Sequence, residues 1–87
     1  MALQGRLNME TVPEWFATGL QRLSGEDLIV DFSRVDSVDS AAVGMLLGWA
    51  RAAQRNGREL RISALPESLL SLARLYGVDE LLPQQSV

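Results

Sequence analysis

The sequence predicts an α/β fold: one small domain with a parallel or mixed sheet of three to four strands and helices packed against it. Two observations carry this. Apolar residues switch repeatedly between alternate spacing and a three-to-four spacing along the chain, and the intervening segments are too short to hold other structure. Strands that reach one another through a helix pair side by side by crossovers of one hand. A chain of 87 residues also has room for only one core.

In order, Leu3, Gly5 and Leu7 alternate with polar neighbours and mark a strand at 2–7. Thr11 is the N-cap candidate of a helix at 11–23, with Pro13 and Glu14 in its first turn and Val12, Trp15, Phe16, Leu20 and Leu23 on its apolar side. Ser24 to Asp27 form a turn. Leu28-Ile29-Val30-Asp31-Phe32 then predicts a strand at 28–33 buried on both faces. A loop with two Asp-Ser pairs leads to a helix at 40–56, opened by Asp39-Ser40 and closed by Gly57. Leu60, Ile62 and Ala64 alternate in a strand at 59–64. Pro66 opens a helix at 66–76 whose core stripe is Leu69, Leu72, Ala73 and Tyr76, and Gly77 stops it. A turn at 78–83 precedes a tail, 84–87, expected to be disordered.

The helix at 40–56 is the element with two readable faces. At 100° per residue, Ala42, Val43, Leu46, Leu47, Trp49, Ala50 and Ala53 gather on one side, the expected core face. Ser40, Ala41, Gly44, Met45, Gly48, Arg51, Ala52 and Arg55 gather on the other, a smooth face that together with Asp39 predicts a protein-docking surface. On this reading Ala52 is exposed, and a Glu there leaves folding intact. Gly44 and Gly48 each cost about 1 kcal/mol against Ala inside a helix, so they need a reason. They either admit a partner's close approach or let a neighbouring segment of the same domain pack tightly.

Composition narrows the function. Without Cys or His there are no disulfides, no Cys/His zinc site and no Ser-His-Asp triad. A net charge of −3 argues against nucleic acid as a partner, and Arg51 with Arg55 is the one basic stripe. No apolar run approaches the roughly 20 residues of a membrane helix, and the start of the chain lacks a secretory signal, so a cytoplasmic protein is expected. Asp31, Asp36 and Asp39 surround the strand-to-helix loop. Three carboxylates there fit either a Mg²⁺ site or turn and cap formation, and without a phosphate-cradling Gly loop the second is favoured. No metal, no cofactor and no enzymatic activity are expected.

Asp31-Phe32-Ser33-Arg34-Val35, followed by Val38-Asp39-Ser40-Ala41-Ala42-Val43-Gly44, resembles the STAS domain family, which includes anti-sigma factor antagonists and cytoplasmic parts of sulfate transporters. The family pattern is an Asp-apolar-Ser strand end, a hydrophobic residue, then Asp-Ser-Ser/Thr-Gly-apolar opening a helix. Gly5-Arg6-Leu7-Asn8 is similar to the Gly-x-Leu-Asp before the family's first helix, and Leu72 to Pro83 continue its order. Within the family, Ala73-Arg74-Leu75-Tyr76 and Leu81-Leu82-Pro83 are most similar to the MlaB-type subunit of phospholipid ABC transporters that maintain outer-membrane lipid asymmetry.

Two departures stand out. Family members usually begin with one more strand, in a hairpin with the strand at 2–7; this chain starts too late for it, which implies a smaller sheet or a truncated start. Ala41-Ala42 also stands where kinase-regulated antagonists carry Ser/Thr-Gly. The resemblance therefore implies a non-catalytic subunit that binds the cytosolic ATPase of such a transporter and supports its assembly or activity, peripheral to the inner membrane through that partner and without direct insertion. The alternative it implies is an anti-sigma factor antagonist, partnered by an anti-sigma factor with serine kinase activity and switched by phosphorylation at Ser40.

Overall fold

A computed structural model describes residues 1–82. Three strands and three helices alternate: β1 (Ala2–Leu7), α1 (Val12–Leu23), β2 (Leu28–Val38), α2 (Ser40–Asn56), β3 (Leu60–Ser63) and α3 (Glu67–Leu75), then a 3₁₀ turn at Asp79–Leu81. The sheet is wholly parallel, in the order β1-β2-β3. The turn expected at 78–83 and the tail at 84–87 reach beyond the described residues.

β2 is longer than the sequence suggests. Arg34 to Val38 carry polar residues that read as loop, yet they pair with β1, from Gln4 opposite Arg34 to Leu7 opposite Val38. The first part of β2 pairs with β3, from Leu28 opposite Leu60 to Asp31 opposite Ser63. One long strand thus serves two short neighbours in stagger, and the ladder satisfies the backbone groups that a loop would leave to water.

Strand order 1-2-3 has a second consequence. Two crossovers of one hand running the same way along a sheet put both connecting helices on one face. Leu3, Leu7, Leu28, Val30, Phe32 and Ile62 are buried on that face. The other face is bare: Ala2, Gln4 and Arg6 are exposed, and Ile29 is 58% exposed. The expectation that β2 is buried on both faces therefore fails, because its burial alternates with period two.

Local signals set the helix ends. The Asp39 carboxylate accepts the Ala41 N–H at 2.8 Å and caps α2, and Gly57, at φ 65°, ends it in the left-handed conformation that glycine adopts freely. Thr11 occupies the N-cap position of α1 but its side chain does not cap; its hydroxyl donates instead to the Arg6 carbonyl at 2.6 Å. Tyr76 lies just past α3 and is 53% exposed, so it is not part of the core stripe held by Leu69 and Ala73.

Packing between α1 and α2 is reciprocal. Phe16 of α1 lies over Gly48 of α2, where an added Cβ would fall 2.5 Å from the ring. Trp49 of α2 lies over Gly19 of α1, where an added Cβ would fall 2.3 Å from the indole. The Trp49 Nε1–H donates to the Phe16 carbonyl at 3.0 Å, and the Asn56 amide donates to the Leu23 carbonyl at 3.0 Å, so polar bonds hold the same seam.

Candidate protein-docking site

The sheet delivers the start of α2 to the surface. Val38, the last residue of β2, pairs with Leu7, and the next N–H, that of Asp39, donates to the Leu7 carbonyl at 3.1 Å. Asp39 is extended (φ −132°, ψ −169°), so the chain turns sharply into the helix behind it. Its carboxylate takes the Ala41 N–H and its carbonyl takes the Ala42 N–H at 3.1 Å. Asp39 alone performs the capping. Ser40 is left exposed as the first helical residue, with its hydroxyl in no hydrogen bond among the described residues.

Burial corrects the face assignment of α2. Met45 and Ala52, expected on the docking surface, are each 2% exposed, and Gly48 is half-covered by Phe16. Leu47 and Ala50, expected in the core, are half-buried. The buried arc is turned toward α1 because the Phe16–Gly48 and Trp49–Gly19 contacts demand it. Ala41 is half-buried at the margin. What remains exposed is Ser40, Gly44, Arg51 and Arg55, which lie within about 60° of one another around the helix at 100° per residue. An added Cβ at Gly44 meets nothing within 4 Å. The two glycines of the original stripe thus have separate reasons: Gly48 admits a ring of its own domain, and Gly44 is open.

The acidic residues are not gathered into a ligand set, and no cluster of three or more metal-ligating side chains occurs among the described residues. The Asp31 carboxylate accepts the Ser33 N–H at 2.8 Å and the Ser33 hydroxyl at 3.1 Å. These bonds, the backbone one first, hold its carboxyl below the usual carboxylate range. Asp39 is engaged as the cap, and Asp36 is exposed.

Sequence reasoning missed Gly19 and Met9. Gly19 is the receiving surface for Trp49; the signal was a glycine among aromatic residues at helical spacing, here on the neighbouring helix. Met9 is in the turn after β1 and is 80% exposed. No helix among the described residues is long and apolar enough to cross a membrane.

Comparison with known proteins gives a consistent result. The family profile described as "Mlab, STAS domain" matches residues 1–83. Anti-sigma-B factor antagonists of Staphylococcus aureus, strains NCTC 8325 / PS 47 and COL, are 28% identical over 80 residues, covering 90% of this chain and 74% of theirs. The solved structure of the anti-sigma factor antagonist SpoIIAA in its unphosphorylated form superposes with a TM-score of 0.75 at 18% identity, over 99% of this chain and 76% of that one. That likeness speaks to the fold.

Proposed function

Because this chain belongs to the STAS domain family, we propose that it is a non-catalytic docking domain of the anti-sigma factor antagonist type, binding an anti-sigma factor through the exposed first turns of α2. The observation that carries this reading is the division of labour at the corner. Asp39 caps the helix, so the Ser40 hydroxyl is free for a partner or a phosphoryl group, and Gly44 beside it lets a partner's backbone come close. The antagonists among the relatives support the partner class.

The same geometry suits a switch. A kinase partner that transfers the γ-phosphoryl group of ATP to the Ser40 oxygen, with the hydroxyl proton leaving, would put a near-dianion at a helix N-terminus. The fold tolerates negative charge there because the helix dipole favours it. A protein packed over Gly44 does not, since the dianion would have to be desolvated in the contact. Arg51 and Arg55, two and three turns along the same exposed arc, offer donors to an acidic rim on the partner.

A second reading uses the same face for a different partner, the cytosolic ATPase of a phospholipid-transporting ABC complex. Ala41-Ala42 in place of the Ser/Thr-Gly of kinase-regulated antagonists favours it, as does the description of the matching family. Affinities for a purified anti-sigma factor kinase and a purified ATPase subunit, each measured with wild type, Ser40→Ala and Ser40→Asp, separate the two. The leading reading expects kinase binding that survives Ser40→Ala and falls at least about tenfold with Ser40→Asp, and phosphate on Ser40 by intact mass from cells. Binding to the ATPase alone, with no phosphate, replaces it with the second. Ser40→Asp binding like wild type removes the site from this corner under both.

A further inference from the structure

We infer that Met9 is the apolar anchor of the docking face, seated in an apolar pocket with a basic rim on the protein partner. The inference rests on docking at Ser40. Among the described residues Met9 is the most exposed large apolar side chain, at 80%. The bond from the Asp39 N–H to the Leu7 carbonyl puts the two turns side by side: Met9 lies two residues past the acceptor and Ser40 one residue past the donor.

The Met9 turn is held by hydrogen bonds on both sides. The Asn8 side-chain oxygen accepts the N–H groups of Glu10 at 2.8 Å and Thr11 at 3.1 Å. The Thr11 hydroxyl accepts the Asn8 N–H at 3.0 Å and donates to the Arg6 carbonyl at 2.6 Å. These bonds tie the backbone on both sides of Met9 back to β1 and leave its side chain in solvent. Binding therefore orders no loop, and a flexible thioether adapts to the pocket that receives it.

The partner's rim follows from charge. Glu10 is next to Met9 and Glu14 is in the first turn of α1; both are exposed, and neither is in an ion pair among the described residues. Arg6, the nearest basic residue in the chain, follows the outward alternation of β1 onto the bare sheet face. Basic side chains around the partner's pocket would meet Glu10 and Glu14 without competition from within the domain.

The test uses the two purified probes named above, the anti-sigma factor kinase and the ATPase subunit, with methyl-labelled methionine in this protein. Whichever probe binds should shift or broaden the Met9 methyl resonance and leave that of buried Met45 in place. Met9→Gln should melt with wild type yet bind about tenfold more weakly, and Met9→Leu should bind within about threefold. Glu10→Gln with Glu14→Gln should flatten the dependence of affinity on salt. Leu75→Gln, an equally polar change at an exposed apolar residue at the far end of α3, should bind normally.

If Met9→Gln binds like wild type while Ser40→Asp does not, the anchor is overturned and the docking site stands. If Ser40→Asp has no effect, or neither probe binds, the docking site fails and the anchor fails with it.

Discussion

Gly44 and Gly48 stand one turn apart on the same helix, and the surroundings of the two glycines are opposite. Around Gly48 the helix is a packing element: Phe16 covers the glycine, Trp49 is wholly buried against Gly19, and Ala52 is closed off. At Gly44 the outer arc is bare, with Ser40 one turn before it and open space where a side chain would be, while Val43 and Met45 on either side point to the core. Small residues are a common solution to two problems, close packing inside a domain and close approach from outside it. Only the neighbour distinguishes them. The buried arc of α2, from Ala42 to Ala53, holds the domain together, and the arc of Ser40, Gly44, Arg51 and Arg55 faces solvent.

The largest test of this contrast is Ala52→Glu. Ala52 is 2% exposed, so an ionised side chain there loses its water with no partner to replace it. Loss of more than about 4 kcal/mol is expected, enough to unfold most of so small a domain in a denaturant or thermal melt. An unchanged melt would restore Ala52 to the surface.

Trp49→Phe probes the seam more finely. It keeps most of the ring but leaves the Phe16 carbonyl without its 3.0 Å donor and the space over Gly19 partly empty. The expected cost is about 1–3 kcal/mol, read from the shift of the urea midpoint.

Gly48→Ala places two effects in opposition. Alanine gains up to about 1 kcal/mol of helix propensity, while a Cβ 2.5 Å from the Phe16 ring forces that ring to move at about 1–3 kcal/mol. Net destabilisation of about 1 kcal/mol is expected, and adding Phe16→Leu should recover part of it if the clash is the cause. A double mutant no better than the sum of the single changes would mean that Phe16 is not the obstacle.

Gly44→Ala should have the smallest effect, and the opposite sign. Nothing lies within 4 Å of the new Cβ, so the propensity gain is unopposed and stability should rise by about 0.5–1 kcal/mol. Partner affinity should fall in the same protein, because the added methyl group stands where the partner's backbone approaches. A variant that is both more stable and fully competent to bind would remove Gly44 from the docking face.

The sequence by itself determined the features whose physics is local. A cap at Asp39-Ser40, which the structure assigns to Asp39, opens α2, Gly57 ends it by its own backbone freedom, and the alternation in β1 and β3 follows from the pleat. The α/β order follows from these. Tertiary structure decided which arc of α2 is buried. Alanine, glycine and methionine fit either side of a helix at little cost, so the apolar pattern left the arc undetermined by about 50°, and the rings of α1 settled it by covering Gly48 and burying Met45 and Ala52. It also turned Arg34 to Val38 into strand, since β1 offered a ladder of partners that no property of that polar segment announces. The single-sided burial of β2 came the same way, from the order in which three strands lie beside one another, a relation between distant segments that no local spacing encodes.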